Sequence, residues 1–388
     1  MEELTIRSGA ELSWREYCRI NAFVAKSFGN PVPPMPEENA ENLKWMRHKY
    51  RHYHFTEAGG EIASGLWSHP IPFLAGGHPV EVWSIGGVST APEFRGRALM
   101  SRMVSQAMLD IRESGAPLVW LAGKRYRYGR FGFQRAGNIL ELDIEKGNIA
   151  LHCKKSGYEI HFCSDPSSVP WSEVKRLTAE LSFRNDIPLE NYAFKCIDHK
   201  FTAVFAGKNG KFEAVAVYRP AERPVLAEYG GNPEALSDLL IGFSEKYPAF
   251  QVRIPALDDA YFRLFFPLAE RWRMDINYNL AIADLKKCLL LATYRPSALP
   301  GGLEGESVNL TMTAGMYEEQ SAALTIRGGK LCIADPLEGI PTVRLDPMTM
   351  VSALFGPMRP SLFLQGAADW LDLVFPVVLN LQISAHGA

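Results

Sequence analysis

Between residues 99 and 111 apolar side chains recur at steps of three and four: Leu99, Met100, Met103, Val104, Ala107, Met108 and Ile111. That spacing gathers them on one face of a helix. Gly115 stands where a left-handed residue ends a helix, and Pro117 blocks any continuation. Leu118 to Ala122 (LVWLA) then reads as a short buried strand. Ahead of the helix, Phe55 to Trp67 and Val80 to Thr90 alternate and carry glycine turns, as antiparallel strands do. Strand, turn, helix and strand make a βαβ unit, which is expected to be right-handed with parallel strands.

A similar order of elements follows from about residue 150. Thr202 to Ala206 and Phe212 to Tyr218 flank the turn GKNG, a hairpin signal. Val225 to Tyr229 is a third strand. Asn232 and Pro233 are an N-cap and first helical residue, opening a helix to about Tyr247. Phe250 to Ile254 is the next strand and Ala260 to Phe266 a short helix. A third unit starts near Lys287 with the Pro- and Gly-rich stretch RPSALPGGLEGES. In it, Val308 to Thr313, Ala322 to Ile326 and Lys330 to Ile333 read as strands, with a turn at Gly328 and Gly329. Asp346 and Pro347 open one helix, and a last helix is expected over Ala367 to Phe375. The chain is thus read as α/β (α+β) in three units, 1–150, 151–286 and 287–388, the second repeating the first.

Composition narrows the partners. The length of 388 residues suits two or three domains, and 47% apolar with 22% charged residues is ordinary for a globular protein. A net charge of −2 gives no global attraction to nucleic acid or to an anionic membrane. The N-terminus lacks a basic stretch followed by an apolar one, so no signal peptide is expected. The most apolar run, Val374 to Leu379, is far short of the ~18 residues a membrane span requires. Six scattered cysteines without a CxxC read as reduced thiols of a cytoplasmic protein. His48, His52 and His54 cluster, but HKYRHYHF is flanked by cations and reads as a solvated or substrate-facing surface rather than a metal site.

The chemistry concentrates where the first strand meets the helix, in VSTAPEFRGRALMSRM. The first amides of a helix have no internal partner, and its dipole is positive there. A pyrophosphate suits that end. Arg95 and Arg97 add charge-assisted bonds, and Gly96 admits a close backbone approach. From these residues alone, a solvated helix start with two exposed arginines is an equal alternative. The corresponding stretch of the second unit, EYGGNPEAL, has no arginine, so that unit is read as lacking the anion site.

The stretch resembles the signature R/Q-x-x-G-x-G/A of the GCN5-related N-acetyltransferases (GNAT), here Arg95-Gly96-Arg97-Ala98-Leu99-Met100. Ala98 replaces the central glycine and Met100 the last small residue. A second stretch, Tyr128-Gly129-Arg130-Phe131-Gly132-Phe133, lies about thirty residues on. The two together resemble the enhanced-intracellular-survival (Eis) acetyltransferases. That resemblance implies a catalytic acetyltransferase domain, a second degenerate one and a C-terminal domain like sterol-carrier proteins, matching the three units. It also implies a homo-oligomer such as a hexamer.

What the resemblance implies for the site is specific. The backbone of Val88, Ser89 and Thr90 would pair with the pantetheine arm of acetyl-CoA. Arg95, Gly96, Arg97 and Ala98 would take the pyrophosphate, and Gly123 would make a further contact. The amine would attack the thioester directly, without a covalent enzyme intermediate. Tyr128 matches the family's acid, and its phenol, with an ordinary pKa of about 10, is protonated at neutral pH. Tyr126 has the same chemistry, and the sequence does not separate the two. The base implied is the C-terminal carboxylate, here Ala388, with His386 as the other candidate. The acceptor class implied is an aminoglycoside, a polyamine or a lysine. Glu37, Glu38 and Glu41 are candidate acidic walls for such a cation, although Arg47, His48, Lys49 and Arg51 stand near them. Trp67 and Trp83 line a pocket or pack in the core. The competing expectation is a non-catalytic protein that binds acyl-CoA or a hydrophobic ligand on the same scaffold.

Overall fold

The computed structural model describes residues 5–9, 12–32, 37–39, 52–179, 183–255, 259–276, 278–294, 299–364 and 368–377. The first unit opens with β1 (Arg7–Gly9) and α1 (Trp14–Ser27). A capping box starts α1: Ser13 accepts from the Glu16 amide and Glu16 accepts from the Ser13 amide at 2.9 Å. β2 (His52–Ala58), β3 (Glu61–Ala75) and β4 (His78–Thr90) form two hairpins. α2 (Leu99–Glu113) and β5 (Leu118–Leu121) complete the expected crossover, and β4 pairs parallel with β5. α3 (Arg125–Tyr128) and β6 (Gln134–Ala136) follow.

The second unit begins with β7 (Ile139–Glu145), α4 (Lys146–His152), β8 (Glu159–Phe162) and α5 (Trp171–Leu177). Next come β9 (Phe183–Asn185), α6 (Leu189–Asp198), and the expected hairpin β10 (Thr202–Lys208) and β11 (Lys211–Tyr218). β12 (Val225–Gly231), α7 (Pro233–Lys246), β13 (Ala249–Pro255) and α8 (Asp259–Phe265) repeat the strand–helix–strand order. β14 (Ala269–Asp275), β15 (Tyr278–Ile282) and α9 (Leu285–Thr293) lead into the third unit. That unit holds β16 (Ser307–Met312), β17 (Gln320–Arg327), β18 (Lys330–Ala334), β19 (Thr342–Leu345), α10 (Pro347–Phe355) and α11 (Ser361–Leu364). The helix expected near the C-terminal end is only a 3-10 turn, Asp369–Leu373; Trp370, Leu371, Val374 and Phe375 are all buried, with Pro376 next.

Pairing does not follow the linear breaks expected near 150 and 287. The first sheet runs β1-β2-β3-β4-β5-β15-β6, with β9 on β3, so it takes two strands from within the span 151–286 expected for the second unit. The second runs β14-β7-β13-β12-β11-β10-β8 and takes β7 from before residue 150. β7 reads ILELDIE, and its Leu140, Leu142 and Ile144 enter the second core. On its other face the buried Glu141 is held by Arg253 at 2.6 Å and by Arg273. Element order reveals strands but not their partners, which is why the exchange was not expected.

The third sheet is β18-β17-β16-β19. Its Val308, Leu310 and Leu324, with Val351 and Leu354 of α10, share one hydrophobic core with Ile71, Val82, Leu118 and Leu280 of the first sheet. At the rim of that contact the Tyr317 hydroxyl donates to Met108 O at 2.7 Å. Arg112 stacks over the Tyr317 ring and pairs with Glu318. The first and third units are therefore packed as one body.

One buried group in the second unit makes a stability prediction. Glu228 accepts from the Tyr192 hydroxyl at 2.5 Å. The residue is partly accessible but its carboxyl is enclosed, and burial pushes its pKa up to about 7, opposed by that bond and by Lys175. The folded chain thus binds this proton more tightly than the unfolded chain. Stability falls as pH rises from the ordinary carboxyl value toward about 7, by at most roughly 3 kcal/mol. Glu228→Gln should flatten this dependence in melts taken from about pH 5 to about pH 8, and parallel curves for the two chains would contradict the assignment.

Candidate active site

β4 and β5 stay paired only from Val82 with Leu118 to Ile85 with Leu121. Beyond that point residues 86–90 keep β3 on one side, with Ser89 opposite Gly65 and Thr90 opposite Ser64. Among the described residues, the other edge of β4 has no strand against it beyond Ile85. Trp67 makes this stretch depend on glycine. A Cβ on Gly87, whose φ is +62°, would stand 1.8 Å from the indole, and one on Gly86 2.6 Å. Trp67 and Trp83 are both buried, so they pack rather than open a pocket. The Ser64 hydroxyl donates to Ser89 O at 2.7 Å and shares a bond of 2.9 Å with the Thr90 hydroxyl. The Ser89 hydroxyl donates to Gly87 O. The bonds from Ser64 tie Ser89 and Thr90 to β3, and Val88 packs half-buried against the cluster that holds Tyr128.

The chain then turns through Pro92–Phe94 into α2. Gly96 has φ +79°, and no atom lies within 4 Å of where its Cβ would stand, so the backbone angle rather than space calls for glycine. Ala98 is left-handed as well, with φ 57° and ψ 15°. An alanine there is strained, which is the reason glycine suits this position in the signature. Ala98 is the N-cap of α2 and has no side-chain oxygen to cap it. The first-turn amides and the positive end of the dipole are therefore left for an outside acceptor. Arg95 and Arg97 are exposed beside them, and the Arg97 guanidinium lies 5.1 Å over the Phe94 ring. A third cation arrives from the second motif: Arg130 donates to the hydroxyl of Ser101, in the first turn of α2, and stacks over Phe131. Arg130 stood in the quoted motif without a role, and no pattern in the sequence pairs it with Ser101.

The two tyrosines separate by burial. Tyr126 is 75% exposed, and its hydroxyl accepts from Arg127. Tyr128 is 7% exposed, with its ring edge-on to Phe133. Its ring lies against Gly123, where a Cβ would come within 2.4 Å of Cε2, so Gly123 seats the Tyr128 ring. Burial pushes the Tyr128 phenol up, with Arg127 partly opposing, so the hydroxyl is held as a proton donor at neutral pH. Asn279 of β15 donates to Gly123 O at 2.7 Å. From the third unit, Met348 and Pro347 come against Gly129 and Gly132.

The candidate bases Ala388 and His386 lie outside the described residues, as do Glu41, Arg47, His48, Lys49 and Arg51. Glu37 and Glu38 are exposed. His52 packs on Trp83 at 5.0 Å, and His54 is buried 3.7 Å from Asp110, with burial pushing its pKa down to about 4. Among the described residues no group of three His, Cys, Asp or Glu could hold a metal ion, and no helix is long and apolar enough to cross a membrane.

Comparison with known proteins gives this geometry a family. Residues 9–136 match the family described as acetyltransferase (GNAT) domain. An uncharacterized N-acetyltransferase of Streptomyces griseus is 32% identical over 85 residues, which is 22% of this chain. The match spans only 20% of that relative's own length. Among solved structures, a probable N-acyltransferase from Enterococcus faecalis V583 covers 97% of both chains with a TM-score of 0.71 at 18% identity. A GCN5-related N-acetyltransferase from Kribbella flavida covers 97% of this chain and 98% of its own, with a TM-score of 0.67 at 15% identity. Eis1 from Mycobacterium abscessus covers 94% of this chain and 96% of its own, with a TM-score of 0.63 at 14% identity. These likenesses establish a shared fold along almost the whole length. Residues 9–136 thus match an acetyltransferase (GNAT) domain, and the chain as a whole shares its fold with these acyltransferase structures, Eis1 among them.

Proposed function

We propose that the protein is an acetyl-CoA-dependent N-acetyltransferase acting on a primary amine of the aminoglycoside, polyamine or lysine type. The observation that carries this reading is the uncapped entry of α2. Two left-handed residues, Gly96 and Ala98, precede a first turn without a side-chain cap, and Arg95, Arg97 and Arg130 stand around it. That is an anion seat built for a group with several negative charges. The bare edge of β4 at Val88 leads away from it and suits an extended amide-bearing arm. The residues present thus fit coenzyme A.

Acetyl-CoA supplies a thioester whose acyl carbon the amine attacks and whose thiolate departs. The chain must then take one proton from the ammonium and give one to the thiolate. Tyr128 is assigned the second task, since its enclosed phenol holds its proton at neutral pH and its ring lies against Gly123, two residues past the end of β5. Tyr126, exposed to solvent, is the poorer candidate. The base is assigned by family resemblance to the carboxylate of Ala388, with His386 as the alternative. The second unit is read as a degenerate copy, and the third as sterol-carrier-like. The strands of the third unit spend their apolar faces on the first sheet, which favours the enzyme over a carrier of hydrophobic ligands. A homo-oligomeric, cytoplasmic enzyme is part of the same reading.

Calorimetric titration with acetyl-CoA and a thiol-release assay test the proposal. Arg95→Glu should weaken acetyl-CoA binding by roughly tenfold or more, since it reverses one charge at the anion seat; unchanged affinity would contradict that seat. Tyr128→Phe should cut kcat by roughly a hundredfold with acetyl-CoA affinity nearly kept, and full turnover would move the acid elsewhere. Ala98→Gly should relieve left-handed strain and raise stability by about 1 kcal/mol in thermal melts, whereas a lower melting temperature would argue that the turn is not strained.

A further inference from the structure

β15 enters the first sheet from after the last strand of the second sheet, and Asn279 lies directly opposite Leu121. Leu121 is also the last residue of β5 paired with β4, so Asn279 marks the point where the two strands part. Its side-chain amide donates to Gly123 O at 2.7 Å and more weakly to Leu121 O at 3.4 Å. Two carbonyls on that side fix the NH2 end of the carboxamide toward them. Gly123 in turn carries the Tyr128 ring, so the contacts run in series from Asn279 through Gly123 to Tyr128. Ala281 and Ala283, on the same face of β15, join the cluster that contains Tyr128 and Phe133.

The other end of the carboxamide is informative. Asn279 is 5% exposed, and its Oδ1 is buried without a hydrogen-bond partner among the described residues. A buried acceptor left unpaired is a net cost to folding, and an aliphatic side chain would fill the same space without it. Packing therefore does not account for asparagine here, whereas its two donated bonds do.

We propose that Asn279 is a positioning residue for the acetyl-transfer step, fixing the Gly123 backbone so that Tyr128 is held at the reacting centre. The proposal rests on Tyr128 being the acid. It brings a residue outside the segment 9–136 into the working of that domain.

Asn279→Asp keeps the size and shape of the side chain, Asn279→Leu keeps its branching with a larger apolar group, and both remove the amide donor. Each is assayed by thiol release from acetyl-CoA with a lysine peptide, a polyamine and an aminoglycoside, alone and combined with Tyr128→Phe, and each is melted. The expected result is a kcat lower by roughly ten- to a hundredfold with the KM for acetyl-CoA within about twofold. In the Tyr128→Phe background the same substitutions change kcat by less than about twofold, because the group they position is gone. Without any acceptor, the ultraviolet titration of Tyr128, read as the difference between chains with and without it, moves down toward that of free tyrosine when Asn279 is Leu. Native turnover in both variants, an undiminished loss in the Tyr128→Phe background or an unmoved tyrosine titration overturns the proposal. If Tyr128→Phe alone keeps full turnover, the acid assignment falls and the positioning role with it. A crippled Tyr128→Phe without coupling to Asn279 overturns only this inference.

Discussion

The first sheet depends on β15 lying between β5 and β6. β5 is four residues long, and on one side it has only its short parallel contact with β4. β15 supplies the other side, pairing Asn279 to Ile282 with Leu121 to Leu118, and it holds β6 through Tyr278 to Leu280. Its Leu280 and Ile282 point into the core shared with the third unit, while Ala281 faces the α2 side. One strand thus ties the parting of β4 from β5, the seat of Tyr128 and the third unit into a single packed body. Asn279 of β15 and its partner Leu121 of β5 are 158 residues apart in the chain, so the site is assembled only when most of the chain has folded.

The two strand–helix–strand units differ at the start of the helix, where the proposed anion seat lies in the first. In the first, Ala98 leaves the start of α2 uncapped. In the second, the Asn232 side chain accepts from the amides of Glu234 and Ala235, filling the place an anion would take. The gap between strands differs in the same sense. β12 and β13 also part early, pairing only at Val225 and Leu226, but the Tyr229 hydroxyl donates to Arg253 O across the opening. Tyr261 and Phe265 pack against the Tyr229 ring. Local substitutions within one topology therefore decide which unit can take a charged, extended ligand.

Much of this was legible where the cause is local. The three- and four-residue spacing fixed α2, and the Asn232–Pro233 and Asp346–Pro347 pairs marked helix starts that the structure carries. EYGGNPEAL, without an arginine, is read as a helix start lacking the anion site, but the Asn232 cap on the Glu234 amide and the Tyr229 bond to Arg253 O lie beyond that reading. Strand partners were not legible, because ILELDIE would alternate in the same way in either sheet. Tyr128 and Tyr126 are chemically equal in sequence, and only the direction of a four-residue helix buries one and exposes the other. Arg130 and Asn279 were missed for a related reason: each meets its partner across a long stretch of chain, and neither spacing nor residue type announces such a meeting.

The central claim is that one of two similar units holds coenzyme A, through the bare edge of β4 and the uncapped start of α2. Hydrogen exchange of the full chain with and without acetyl-CoA tests it directly. The account predicts new protection at the amides of residues 86–101 and none at 228–236. Protection at the second unit instead, or at neither, would contradict it.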